Sequence, residues 1–231
     1  MAGCDVCAIS HGFARGCDDS TEFPLPRIAG ALYLVIILCG IWSEGFVRAA
    51  LIEPDDAAAT AEMIGARIGL FRASLVADTA MAVADVALAV VFLMLLRAQG
   101  EVLALIATAF RLVQAALIGA SLVALGGVPA ALELGEDGLA LGLTAIHAGG
   151  YDLGLVFFGV TCFAMCALLR RSGGVPAAIA WGIGASGVVY IAGSLLRLAA
   201  PEWHEGFQPA YVVPLVSESA LCLWLLLRGR I

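Results

Sequence analysis

Apolar runs of about twenty residues or more recur six times along the chain, at roughly 27–48, 69–97, 101–127, 145–170, 176–199 and 211–228. A helix rises about 1.5 Å per residue, so each run is long enough to cross the roughly 30 Å of a bilayer's hydrocarbon. Polar connections with helix breakers separate them: Gly126-Gly127 with Pro129, Gly173-Gly174 with Pro176, and Pro201 with Pro209. The second, third and fourth runs exceed the minimum length, so their ends are expected to project or tilt. The pattern predicts an all-α fold, a polytopic bundle of six transmembrane spans over 27–231, preceded by a Cys-rich segment at 1–26. In the first connection, Pro54-Asp55-Asp56 puts acids where a helix N-terminus favours them, and the alanines from Ala57 to Ala61 continue it. A short helix lying on the outer surface is expected there.

Composition agrees with a membrane protein. The 231 residues are 62% hydrophobic and 13% charged, whereas soluble domains are about half apolar and a quarter charged. All 12 basic residues are Arg. In a six-span topology, Arg15, Arg27, Arg97, Arg170, Arg171, Arg228 and Arg230 fall on the side of the termini, against Arg48 and Arg67 on the other. That asymmetry predicts cytoplasmic termini, and with them a multi-pass protein of the inner (cytoplasmic) membrane. Residues 1–26 lack the apolar core of a secretory signal. No basic stripe suited to nucleic acid is present. The partners expected are the lipid bilayer and a small-molecule ligand; the sequence leaves the protein partner unknown.

The candidate chemistry lies in eight ionisable residues within the apolar runs: Glu44, Arg72, Asp78, Asp85, Arg111, Asp152, Arg197 and Glu218. A charge in hydrocarbon costs several kcal/mol unless it is paired or faces a wet cavity. Helical rise places Asp85 about 18 Å, and Arg111 and Glu218 about 15 Å, from the terminal side of the membrane. With Gln114, one turn from Arg111, they are expected to form a midplane network. An Asp85–Arg111 pair is its firmest contact, with Glu218 competing for the same guanidinium or lining the same space. Asp78 and Asp152 come out at about 27–28 Å and Glu44 at about 25 Å, with Arg72, His147 and Arg197 further out. This outer group holds more acids than bases, and Gly149-Gly150 is expected to break the fourth span beside it. Glu44, Arg72, Asp78, His147 and Asp152 are therefore the candidates for a pocket in the outer half of the bilayer. Tyr33, Trp42, Trp181, Trp203, Tyr211 and Trp224 fall mostly near span ends, as an aromatic belt would.

Several stretches carry a resemblance. They are Arg27-Ile28-Ala29-Gly30, Glu44-x-Phe46-Val47-Arg48, Asp56-Ala57-Ala58-Ala59-Thr60-Ala61, Leu70-Phe71-Arg72, Asp85-Val86-Ala87-Leu88 and Phe110-Arg111-Leu112-Val113-Gln114-Ala115. With Asp78, His147, Gly154-Leu155-Val156-Phe157-Phe158-Gly159, Glu218 and Leu223-Trp224-Leu225-Leu226, they resemble a bacterial membrane family named only as domain of unknown function 4386. The resemblance runs from about residue 27 to the end. It implies a six-span integral membrane protein and supplies no activity.

Motifs for ordinary ATPase, serine hydrolase and zinc protease chemistry are missing, and no catalytic set can be assigned. Three function classes stay open: binding or translocation of a small solute or proton, an integral membrane enzyme on a lipid-like substrate, and a non-catalytic accessory or sensor subunit. The N-terminal segment adds one cofactor candidate. Cys4, Cys7, His11 and Cys17 are a soft-ligand set of the kind tetrahedral zinc favours, and a cytoplasmic location disfavours disulfides. An uncommitted tail and a redox thiol pair remain the alternatives. Elemental analysis of purified protein separates them: a zinc site gives stoichiometric zinc that Cys7→Ser removes, and metal-free wild-type protein ends that reading.

Overall fold

The computed structural model describes residues 25–231. Cys4, Cys7, His11 and Cys17 lie outside the described residues. Seven helices follow in order: α1 (Leu25–Leu51), α2 (Ala57–Ala66), α3 (Ile68–Gln99), α4 (Glu101–Glu133), α5 (Asp137–Ser172), α6 (Ala177–Ala199) and α7 (Pro201–Arg228). All but α2 are long and apolar enough to cross a membrane, and no strand occurs among the described residues. The chain is a multi-pass helical membrane protein.

Helices α4 and α5 run further than the apolar runs suggest. Helix α4 continues through Gly126-Gly127 and Pro129, and α5 starts at Asp137 rather than near residue 145. The expected break at Gly149-Gly150 is absent, because α5 passes through it as regular helix. In hydrocarbon an open backbone costs more than glycine's weak helix propensity, so the helix wins. The irregularity lies instead in α1, where Ile41–Arg48 is a π-helix.

The six spans form a closed ring in chain order. Each packs on the next, and α7 returns to α1. The Cys222 thiol donates to the Gly30 carbonyl across the closing seam (3.3 Å). Helix α3 shows how sequence orients a span in this ring. Ser74, Asp78, Met81, Asp85 and Leu88 are buried on one face, while Val76, Val83 and Val90, seven residues apart, are exposed on the other. Polar atoms turn to the ring's centre and apolar ones to lipid, the arrangement hydrocarbon requires.

Two apolar clusters pack the bundle, one toward each end. One, near the termini, gathers Phe92, Leu96, Ala104, Leu168, Leu169 and Leu225. The other gathers Leu51, Ile64, Phe71, Leu125 and Val128. Helix α2 belongs to the second. Its N-cap Asp56 accepts from the Ala59 amide (2.9 Å), and Ile64 is fully buried. The expectation of a helix lying free on the surface is thus corrected: an apolar residue on its inner face docks it. Trp42, Trp181 and Trp203 are exposed, as belt residues are, but Tyr33 is buried in the bundle.

Glycines allow a tight helix contact between α5 and α6. A Cβ at Gly159 would lie 2.5 Å from Ile191 Cγ1 and 2.8 Å from the Gly187 carbonyl oxygen. Gly159→Ala is expected to destabilise the bundle by about 1–3 kcal/mol through overpacking. Unfolding of the variant in detergent checks this, and wild-type stability would show that the seam can open at no cost.

Candidate functional site

The π-helical stretch of α1 positions the outer charges. Ala49 N–H reaches back five residues to the Glu44 carbonyl, the hydrogen bond that defines a π turn. Such turns are rare and frequent at functional sites. Here the stretch presents Ser43, Glu44 and Arg48 to the interior. The Ser43 hydroxyl donates to the Ser74 carbonyl of α3 (3.2 Å). Buried Arg48 is gripped by two carboxylates. Its Nη1 and Nη2 fork onto Asp78 (2.6 and 3.3 Å), and its Nε donates to Glu44 (2.6 Å). Asp78 is fully enclosed, whereas the Glu44 side chain stays 49% exposed.

The midplane group has a different plan. Arg111 donates to Asp85, and the Gln114 amide donates to the other Asp85 oxygen (2.6 Å). The guanidinium lies over the rings of Tyr33, Phe92 and Phe158, with centroids 5.5, 5.9 and 5.0 Å away. Cation–π attraction replaces part of its lost hydration. Of the two expected roles, Glu218 lines the same space as Asp85 and Arg111 and does not bond to the guanidinium. Two phenols hold Glu218 instead, Tyr33 at 3.0 Å and Tyr190 at 2.5 Å. Gln114 Oε1 and Arg111 Nε are buried without a partner.

His147 is buried on α5. The Ser121 hydroxyl lies within hydrogen-bond distance of both the Ile118 carbonyl oxygen (2.7 Å) and His147 Nδ1 (3.0 Å). Nε2 is buried and unpartnered. One turn on, Asp152 pairs with Arg197 of α6 (3.1 Å), whose side chain remains 45% exposed.

Between these groups lie two chambers. The inner one, of about 310 Å³, is lined from all six spans and includes Glu44, Asp85, Arg111, Gln114, Tyr190 and Glu218. The outer one, of about 800 Å³, reaches Ile52 and Pro54 beyond α1 and includes Arg48, His147, Asp152, Arg197 and His204. Glu44, Tyr151, Tyr190 and Tyr211 border both chambers and form the waist between them. Against Arg111 on its terminal side lies a void of about 10 Å³, room for about one water. The interior is thus accessible from the end opposite the termini and stoppered by Arg111 and the apolar cluster behind it.

The sequence model described as Domain of unknown function (DUF4386) matches residues 28–229, nearly the whole described chain. The chain belongs to this family. No curated protein and no solved structure matches it.

In this DUF4386 protein, Glu44, His147 and Asp152 border the outer chamber, and Asp85, Arg111, Gln114 and Glu218 the inner one. Two expected pocket residues do not. Asp78 sits behind Arg48 and acts on the cavity only through it. Arg72 is exposed on the other side of α3. Seven-residue spacing aligns Asp78 and Asp85 but leaves Arg72 off that face, one turn from the helix start, where a long side chain reaches interfacial water. Sequence reading missed Arg48, placed in a loop, and Tyr33 and Tyr211, assigned to the aromatic belt. It also passed over Ser121, Tyr151 and Tyr190. For Arg48 a signal existed: Glu44-x-x-x-Arg48 is a helical ion-pair spacing.

The pairs differ in cost when broken. Asp85→Ala leaves Arg111 buried and unmatched, so a loss of about 3–5 kcal/mol is expected. Asp152→Ala leaves a half-exposed Arg197 that keeps its water, with a loss of about 1 kcal/mol or less. Unfolding measured side by side checks the ranking, and equal losses contradict it.

Proposed function

We propose that this protein binds a small solute in its central cavity and carries it across the membrane. One observation supports the reading above all: a cavity lined by all six spans, wide at one end of the ring and stoppered at the other. Carriers characteristically hold their substrate near the bilayer midplane, between elements that rearrange. Here the inner chamber borders Asp85 and Arg111, the residues that sequence depth places in that layer. Their ion pair and the aromatic rings around Arg111 form the barrier a carrier has to move. The arginine asymmetry orients the open end away from the cytoplasm of an inner-membrane protein.

The rival classes have weaker support. An enzyme using His147 as a proton carrier needs an acid within reach, and the hydrogen bond found for His147 among the described residues goes to Ser121. An accessory subunit needs no wet interior, yet two chambers and several unpartnered polar atoms are present.

The test uses protein in nanodiscs, heated with a panel of small polar solutes: amines, carboxylates, sugars and nucleosides. Binding to the folded state raises the unfolding temperature. At least one class is expected to do so, and Ala148→Trp, which fills the outer chamber, abolishes the shift while folding. A solute that stabilises the wild type should also exchange into proteoliposomes. A folded protein that no class stabilises sinks the proposal.

A further inference from the structure

We propose that the inner chamber is a recognition site for a small protonated primary or secondary amine. This rests on the cavity reading above and names its solute class.

Charge matching is the first ground. Three arginines face the interior, and each has its own carboxylate: Arg48 with Asp78, Arg111 with Asp85, Arg197 with Asp152. Glu44 and Glu218 are left over. Glu44 shares a guanidinium already forked onto Asp78, and Glu218 takes its hydrogen bonds from two neutral phenols. Both line the inner chamber. Its charged lining is Glu44, Asp85 and Glu218 against Arg111, a formal charge of −2. The outer chamber sets Glu44 and Asp152 against Arg48 and Arg197 and is formally neutral. A cation is therefore drawn inward past the waist.

Hydrogen bonding is the second ground. The carboxylates of Glu44 and Glu218 border the chamber and accept hydrogen bonds from N–H groups. A protonated amine supplies such hydrogens and a quaternary ammonium ion does not.

Shape is the third. Tyr190 packs against Phe158 (5.3 Å between centroids) and Tyr211 (6.1 Å), giving the chamber an aromatic wall that suits an ammonium group. Among the described residues no three His, Cys, Asp or Glu side chains converge as a metal ion would require. At about 310 Å³, the chamber is at the small end of ligand sites.

The experiment is calorimetric titration of the full chain in nanodiscs with butylamine, cyclohexylamine and phenethylamine. The matching alcohols, the matching carboxylates and tetramethylammonium serve as comparators. The amines are expected to bind, and the comparators to bind at least about tenfold more weakly. Glu218→Gln keeps partners for both phenols while removing the charge, and should weaken the amines about ten- to a hundredfold. Glu44→Gln, at a half-exposed side chain, gives a second variant whose folding is not in question and should act in the same direction. Alcohols, carboxylates or tetramethylammonium binding as well as the amines overturns the assignment, as does amine binding that neither variant weakens. In those cases the cavity reading stands if Ala148→Trp still blocks whatever binds. If neither this series nor the solute panel binds the folded wild type, the cavity reading fails and this assignment with it.

Discussion

A guanidinium enclosed by helices in a bilayer has to find its counter-charge within the protein, and this requirement organises the bundle. Arg111 is buried, and its charge is met by Asp85 from α3 and by three aromatic faces from α1, α3 and α5. That one group therefore draws four of the six spans to a common point. Arg48 does the same for α1 and α3, and Arg197 for α5 and α6. An unmatched charge at Arg111 or Arg48, both buried, would cost more than a typical side-chain contact contributes. The ring closes because lipid excludes its charges, while apolar clusters brace it toward each end.

The two carboxyls outside this matching give the interior its chemistry. Glu218 is anchored by phenols that donate hydrogen bonds without cancelling charge. Glu44 is tied on one side to Arg48 and open on the other to both chambers. The interior is therefore rigid where charges are paired and receptive where they are not. His147 adds an imidazole held in place through Nδ1 by the Ser121 hydroxyl.

The architecture was largely legible in the sequence because hydrocarbon thickness imposes a length that few soluble helices share. The Asp85–Arg111 contact was legible too, since a tight turn makes α3 and α4 antiparallel and helical rise then equates their depths. Reading failed wherever a residue has two plausible environments. Arg48 at the end of an apolar run looks like an interfacial arginine, and only the fold of α1 turns it inward. Tyr33 looks like a belt residue until Glu218 is seen to accept its proton. The glycine pair in α5 looks like a break, yet Gly150 exists to let Ser121 come close; a Cβ there would lie 2.6 Å from that of Ser121. Such cases turn on partners in distant sequence, which periodicity does not encode.

The π-helical stretch also changes the phase of α1. Each π turn takes in more residues than an α turn, so the face that α1 shows before Gly40 is not continued in register after Arg48. Ala29, Gly30 and Tyr33 pack near the termini on one such face, and Val47 and Leu51 reach the opposite cluster on another. No single helical wheel describes this span. Loss of one residue between 41 and 48 would favour an ordinary α-helix there, rotating Arg48 relative to Tyr33 and separating the two charge systems that α1 now joins. The first span is in this sense two helices spliced out of step, and the splice falls where the cavity meets its charges.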